Sequence, residues 1–304
     1  PIHPKISGIF TRALTTLRTF TKKKRKTSII CNLFVNLYLE VHQISMKLYF
    51  RKQGEGTPLI ILHGLWGASE NWLPIAHSLE DRFQVILPDI RNHGQSPHAD
   101  EMNYEVMSDD IIELIEDLRL PVPPHIVGHS MGGKIVMALL LKRPDIVNKA
   151  IVVDIAPVSY SQQDGGSHYK IIDFMANFDF TRFTTREEVR KAIQQHFKTE
   201  RSQQLFLKNI KKTASGFEWK INHRVLSQHF DEISGCPGKL THDTYDKEIL
   251  FIKGEQSNLI TSINCLQAQF PAARLKEIPQ CGHWIHSEQP EKLAQAIRDF
   301  LLFP

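Results

Sequence analysis

Residues 128–132 read Gly-His-Ser-Met-Gly, which places a serine between two glycines. An apolar, strand-like run, His125–Val127, comes directly before them, and a helix-like stretch follows. A serine at a strand-to-helix turn is raised above the sheet edge in a strained backbone conformation. Glycines at the flanking positions let the strand and the helix approach closely. Ser130 is therefore predicted to be a nucleophile, on an elbow built with Gly128 and Gly132.

A serine hydroxyl is a weak nucleophile unless a neighbouring base accepts its proton. The chain has 15 histidines, so position must select among them. His283 follows the strand-like run Leu275–Ile278 and precedes a helix-like segment, which places it on the same sheet edge as Ser130. His286 is the competing base but lies nearer the helix start. We predict that His283 is the base.

Acyl transfer also needs donors for the oxyanion that forms on the substrate carbonyl. Met131 follows the predicted nucleophile, so its backbone N–H is one candidate. The second is the N–H of Leu65, which follows His63 and Gly64 at the end of the strand-like run Leu59–Leu62. Leu65 and Met131 are predicted to form the oxyanion hole.

Short, β-branched runs bounded by Gly, Pro or Asp predict the strands that must carry these groups. Amphipathic, helix-like stretches separate them. Such alternation is typical of a mostly parallel sheet with helices on both faces, the α/β class. The first strand-like segment is Lys47–Phe50, and the buried runs are Leu59–Leu62, Val85–Leu87, His125–Val127, Ile151–Val153 and Ile249–Ile252.

One segment interrupts the alternation and predicts an inserted cap. Between the runs that end at Val153 and begin at Ile249 the chain has no clear central strand. We assign residues 156–246 to a helical cap, and residues 46–155 and 247–304 to the α/β core. The helices predicted for the cap are Arg186–Phe197, Arg201–Lys212 and Trp219–Phe230.

Residues 1–45 differ in charge from the rest and form a basic N-terminal extension. They hold eight of the 37 basic residues and one of the 33 acidic residues, so the remainder is slightly acidic. Binding of nucleic acid by the body is therefore not expected. The apolar stretch 29–39 is too short to span a bilayer. The extension could lie outside the functional protein, act in targeting, or contact a membrane surface.

Composition indicates an ordinary globular chain, with 41% hydrophobic and 23% charged residues. Its four cysteines are scattered and fit neither a disulfide scaffold nor a cysteine-based zinc site. Free thiols favour a reducing compartment. We predict a cytoplasmic protein, although targeting of residues 1–45 to an organelle stays open.

Taken together and in this order, these motifs resemble the α/β-hydrolase superfamily over residues 46–303. More narrowly, residues 153–158 (Val-Asp-Ile-Ala-Pro-Val) and 283–288 (His-Trp-Ile-His-Ser-Glu) resemble bacterial esterases of the YbfF type. The resemblance implies the α/β-hydrolase fold and a carboxylester hydrolase with a helical cap. It also implies a small-molecule ester or thioester substrate, and no metal or organic cofactor.

This sequence departs from the common superfamily pattern at the position of the acid that orients His283. That pattern places an Asp in the loop where this chain has Ser257. The resemblance to YbfF-type esterases implies instead that Asp154 is the acid and that Ser257 completes a set of four residues. Glu255 is the alternative acid, and a purely structural Asp154 is also open.

Other functions on the same fold stay open at this point. They are a C–C hydrolase, an acyl-CoA thioesterase, and a small-ligand receptor with little turnover. The sequence specifies neither the natural substrate and acyl-chain length nor the oligomeric state.

The basic extension yields a first prediction. Removal of residues 1–45 should leave esterase activity and melting temperature nearly unchanged, because the strand pattern begins after Met46 and the extension supplies none of the predicted catalytic groups. Activity and thermal unfolding of the full and shortened chains would be compared. A large loss of soluble, active protein on truncation would contradict the prediction.

Overall fold

The computed structural model describes residues 46–160, 166–237 and 244–303. The predicted extension, residues 1–45, lies outside these ranges. The strands are β1 Phe50–Gln53, β2 Thr57–Leu62, β3 Phe83–Pro88, β4 His125–His129, β5 Ala150–Val153, β6 Ile210–Thr213, β7 Gly216–Trp219, β8 Ile249–Gly254 and β9 Ala273–Ile278. The helices are α1 Leu73–Leu79, α2 Tyr104–Leu118, α3 Met131–Lys142, α4 Gly166–Asn177, α5 Arg186–His196, α6 Glu200–Lys208, α7 His223–Gln228, α8 Phe230–Ser234, α9 Asn264–Gln267, α10 Ile285–Glu288 and α11 Pro290–Leu302.

Seven strands form one sheet in the order β1-β3-β2-β4-β5-β8-β9. β1 pairs antiparallel with β3, and the other neighbouring strands are parallel. Every residue of β4 and β5 is buried, as expected for central parallel strands covered on both faces. The predicted α/β class is therefore confirmed.

Helices cover both faces of this sheet, because alternate residues of each strand point to opposite sides. On one face, Ile60 and Leu62 of β2 pack with residues of α2 and α3. On the other, Leu59 and Ile61 pack with residues of α1 and α11. The sheet is thus the middle of three layers.

The order of the strands reverses between β2 and β4, since β3 lies on the far side of β2 and β5 on the far side of β4. Loops that leave the carboxyl ends of two such strands diverge and open a crevice between them. The predicted oxyanion loop follows β2, and the predicted nucleophile follows β4. The topology therefore brings both to one crevice.

The chain between β5 and β8 carries α4 to α8, but it is not purely helical. Residues 210–219 form an antiparallel hairpin in which Ile210 pairs with Trp219. The predicted helix Arg201–Lys212 is wrong beyond Lys208, where α6 ends, and the predicted helix Trp219–Phe230 begins only at His223. Ile210, Phe217 and Trp219 are buried while Lys211 and Glu218 are exposed, which is the alternation of a strand pair.

The first strand also differs from its prediction. It spans Phe50–Gln53 rather than Lys47–Phe50, because it pairs with β3 in a register that sets Phe50 opposite Pro88.

Within the described residues, none of the helices combines the length and the apolar character needed to cross a membrane.

Candidate active site

Ser130 stands between the end of β4 and the start of α3 with a φ of 54° and a ψ of −120°. Residues with a side chain rarely adopt a positive φ, so this turn stores strain that the surroundings must hold. A Cβ at Gly128 would lie 2.2 Å from the Gly132 carbonyl oxygen. A Cβ at Gly132 would lie 2.6 Å from the His63 carbonyl oxygen. Only glycines permit this approach of β2, β4 and α3.

Ser130 and His283 are hydrogen-bonded although 153 residues separate them in the chain. The Ser130 hydroxyl donates to His283 Nε2 across 3.1 Å. The other ring nitrogen, Nδ1, donates to Asp154 Oδ2 across 2.8 Å. The resulting chain of hydroxyl, imidazole and carboxylate can take a proton from Ser130 and stabilise the imidazolium that forms.

Asp154 is fully buried, and donors surround its carboxylate. Besides His283, the Ser257 hydroxyl donates to Oδ2 at 2.5 Å and the Gly254 N–H donates to Oδ1 at 3.0 Å. Three donors therefore satisfy a carboxyl group that has no contact with water. The structure thus brings Asp154 and Ser257 together beside His283.

Glu255, the alternative acid, lies elsewhere. It is exposed, and its Oε2 accepts a hydrogen bond from the Gln280 N–H at 2.7 Å. Its own N–H donates to the Ile278 carbonyl. Glu255 therefore links the start of the loop after β8 to the segment before His283, and none of its hydrogen bonds is to the imidazole.

The predicted oxyanion donors face the same space as Ser130. Met131 is the first residue of α3, so its N–H has no partner within the helix and points toward the helix N-terminal side. Leu65 follows Gly64, where a Cβ would lie 3.1 Å from Ser130 Cβ. Ser130, Met131 and Leu65 line one cavity.

His63 holds the loop that carries Leu65. Its Nε2 accepts a hydrogen bond from the Ile90 N–H at 3.0 Å, so the proton of the neutral ring is on Nδ1. Nδ1 then donates to the Gly64 carbonyl at 2.8 Å. Burial lowers the pKa of His63, which keeps the ring neutral and its tautomer fixed.

The competing base His286 does not contact Ser130. Its ring is buried and stacks on Trp72, with centroids 5.0 Å apart. Burial lowers the pKa of His286 to about 3, so the ring is neutral at physiological pH. His129, within the elbow, is also buried, and its Nε2 donates to the His283 carbonyl at 2.8 Å. The His129 ring packs against His283, with centroids 4.7 Å apart, and His286 packs against His129.

A cavity of about 400 Å³ opens above Ser130 and His283. The core contributes part of its wall, and residues from the insertion contribute the rest. Most of its lining is apolar or aromatic, which suits an acyl chain. Cavity residues from the insertion include Ile171, Leu205, Phe230 and Ile233.

Two residues near this cavity are missing from the sequence prediction. One is His129, which lies within the motif at residues 128–132 but has no predicted role. The other is Lys134, which is 1% exposed and lies one helical turn beyond Ser130. Lys134 is the one charged residue in the otherwise apolar stretch 131–141 of α3, and that isolation was the available signal.

A strained serine at a β4–α3 turn, with its histidine and carboxylate on later loops of a mostly parallel sheet, defines the α/β-hydrolase class of protein. A family model described as the alpha/beta hydrolase fold matches residues 57–290. The chain therefore belongs to the α/β-hydrolase fold family.

Individual relatives are named as ester-cleaving enzymes. Esterase YbfF of Escherichia coli (strain K12) is 34% identical over 263 residues, covering 84% of this chain and 99% of that protein. The sn-1-specific diacylglycerol lipase ABHD11 of Mus musculus is 34% identical over 252 residues, covering 80% of each chain. A solved structure described as a marine microorganism esterase has 40% identity and a TM-score of 0.81, and the match covers 84% of this chain and 100% of that chain. The resemblance to YbfF-type esterases and the predicted hydrolase class are confirmed.

The contacts of the two carboxylates lead to a second prediction. Asp154→Asn should lower kcat by roughly 10²- to 10⁴-fold, because an amide misorients the imidazole or selects its other tautomer. Glu255→Gln should lower kcat less than about tenfold, since none of the hydrogen bonds of this side chain is to the imidazole. The loss of kcat in Ser257→Ala should lie between these two losses, because a neutral hydroxyl supports the carboxylate without supplying charge.

The three variants would be assayed with one ester at pH about 8, where histidine with its reference pKa near 6.5 is mostly neutral. Thermal unfolding would establish that each variant is folded. A greater loss of kcat in Glu255→Gln than in Asp154→Asn would reverse the assignment of the acid.

Proposed function

We propose that this protein hydrolyses carboxylic esters through a covalent acyl-enzyme formed on Ser130. The observation that supports this most directly is the hydrogen-bonded chain from the Ser130 hydroxyl through His283 to the buried Asp154. The names of its relatives point to the same reaction class. In this proposal Ser257 is the fourth member of the set, supporting the Asp154 carboxylate.

The reaction would begin with the transfer of the Ser130 proton to His283 Nε2 as Oγ attacks the carbonyl carbon. Backbone N–H groups of Leu65 and Met131 would hold the oxygen as it becomes negative. The Asp154 carboxylate would stabilise the imidazolium, which then protonates the departing alcohol. Water activated by the neutral His283 would release the acid and restore Ser130.

The substrate class follows from the cavity. With about 400 Å³ and a largely apolar lining, it suits an ester with one acyl chain of moderate length. Relatives named as esterases and as a diacylglycerol lipase are consistent with such substrates. We assign substrate selection to a cap formed by residues 156–246, because helices of this segment provide much of the wall.

We further propose a cytoplasmic location for the mature enzyme. The three cysteines within the described residues, Cys236, Cys265 and Cys281, are free thiols. Free thiols are typical of proteins in a reducing compartment. Fractionation of cells that express the full chain would test this location.

The central test uses Ser130→Ala. Ester turnover should fall by roughly 10³- to 10⁶-fold without loss of folding, as removal of a nucleophile generally causes. Ser108→Ala is a matched control, since Ser108 is a buried serine on α2 that donates only to a carbonyl of its own helix. Retention of more than about a tenth of the wild-type kcat/KM in Ser130→Ala would contradict the proposal.

Two further measurements define the reaction. A fluorophosphonate probe should label Ser130 covalently, and His283→Ala should suppress that labelling. Esters from acetate to palmitate, with acyl-CoA thioesters in parallel, would give the acyl-chain preference and the leaving group. Release of one equivalent of alcohol without turnover would indicate a receptor rather than an enzyme.

A further inference from the structure

Lys134 is a buried cation that has no carboxylate partner among the described residues. Its side chain is 1% exposed, and it lines the cavity that contains Ser130 and His283. No carboxylate occurs among the described residues that line this cavity. An unpaired buried charge is costly unless it is fully hydrogen-bonded, so its partners require an explanation.

Those partners are three backbone carbonyls, one for each hydrogen of the ammonium group. Lys134 Nζ donates to the Val158 oxygen at 2.9 Å, to the Ser234 oxygen at 3.0 Å and to the Gly235 oxygen. The carbonyls of Ser234 and Gly235 lie at the end of α8, where helix carbonyls lack partners within the helix. A cation at a helix C-terminus is also favoured by the helix dipole.

The same end of α8 receives a second donor from the core. The Tyr104 hydroxyl, at the start of α2, donates to the Ile233 carbonyl at 2.5 Å. Tyr104 and Lys134 together therefore bind three consecutive carbonyls of the predicted cap. Ile233 and Ser234 themselves line the cavity, so this contact fixes one of its walls.

Tyr160 links this contact to the loops that hold the acid. Its ring lies 4.7 Å from Lys134 Nζ, and its N–H donates to the Ser234 carbonyl. Its hydroxyl accepts from the Ala156 N–H and donates to the Leu259 carbonyl. The wall, the segment after Asp154 and the segment after Ser257 are thus connected through Tyr160.

We propose that Lys134 is a positioning residue that determines acyl-chain specificity, because its three hydrogen bonds hold the end of α8 as the wall of the acyl pocket. This inference rests on the proposed esterase function. Lys134 uses all three donors on protein carbonyls, so it does not take part in the acyl transfer. Its loss should let the wall move and admit longer acyl chains.

The protonation state of Lys134 gives an independent way to test this role. Burial lowers the pKa of Lys134 to about 7. Below that pH the ammonium has three N–H donors; above it the neutral amine has two, and one carbonyl loses its donor. The wall should therefore loosen as pH rises through about 7. Among the described residues, the other titratable groups that face the cavity or the ammonium are Tyr104, Tyr160, His168, Arg201, Cys236 and His283.

The experiment measures kcat/KM for p-nitrophenyl decanoate and for p-nitrophenyl butyrate between pH 6 and pH 9. The value for decanoate is divided by the value for butyrate at each pH. His283 acts in the same way on both esters, so its contribution cancels from the ratio. In the wild-type protein the ratio should rise at least about fivefold with pH, a change that the fit of a few methylene groups can produce. In Lys134→Met the ratio should be high at all pH values and independent of pH.

Lys142→Met is the matched control. Lys142 is the last residue of α3 and pairs with Asp109 at 2.5 Å on the surface, away from the cavity. In Lys142→Met the decanoate-to-butyrate ratio should change with pH as it does in the wild-type protein. A pH-independent ratio in the wild-type protein, or an unchanged ratio in folded Lys134→Met, would overturn the proposal. If Lys134→Met does not fold, the pH series of the wild type alone decides.

Failure of this inference can be told apart from failure of the proposed function. Fluorophosphonates with short and long alkyl chains report on the cavity without turnover. If Ser130 is not labelled by either, the esterase proposal fails. If Ser130 is labelled by both, at relative rates that are independent of pH or of Lys134, only the specificity role fails.

Discussion

The close approach of β2, β4 and α3 is the constraint on which the rest of the site depends. Ser130 adopts a positive φ because the chain must reverse direction between β4 and α3 within one residue. Gly128 and Gly132 leave no space for a Cβ between these elements. The strain is held by the buried central strands, which cannot shift without losing their ladder of hydrogen bonds. One result is that the hydroxyl and the first N–H of α3 are presented at the same point.

The hydrogen bonds of Asp154 constrain the other half of the sheet, which contains β5, β8 and β9. Asp154 also has a positive φ, of 52°, at the end of β5, and its N–H donates to the Ile252 carbonyl of β8. Its carboxylate then binds Gly254 at the end of β8 and Ser257 in the loop that follows, as well as His283. A single buried carboxylate thereby fixes the relative positions of three loops. Its hydrogen-bond donors offset the cost of burying the charge.

The sequence predicted the core well because each central strand is a short apolar run between turn residues. The hairpin at 210–219 was missed because Lys211 and Lys212 interrupt its apolar pattern and made it compatible with the end of a helix. Ser130 and His283 could be found from their local context. The prediction of Asp154 as the acid required family resemblance, since 129 residues separate it from His283 and nothing local distinguishes it.

The role of Lys134 could not be predicted, because its partners are distant in the chain. Val158 lies 24 residues away and Ser234 lies 100 residues away. A lysine on an apolar helix is noticeable in sequence, but whether it is paired, exposed or bound to carbonyls is decided by packing between elements. The same holds for His63 and His129, whose roles depend on which ring nitrogen finds a partner.

The insertion between β5 and β8 is bonded to each loop that carries a proposed catalytic group. On the loop after β2, the Trp66 indole donates to His168 and the Trp66 carbonyl accepts from Asn209. On the helix after Ser130, Lys134 binds the end of α8. On the last loop, Arg201 pairs with Glu288, which also accepts from the Gly282 N–H beside His283.

Because of these hydrogen bonds and this ion pair, a movement of the insertion would also move the segments that carry the proposed catalytic groups. A displacement of the cap by a bound acyl chain must change a hydrogen bond to the oxyanion loop, to the nucleophile helix or to the histidine loop. Binding energy from parts of a substrate remote from the ester can therefore act on the geometry of the reacting groups. Under the proposed function, an acyl chain that fits the wall at Ile233 and Ser234 would leave these three contacts in place, so the fit of the chain would affect the rate of reaction as well as binding.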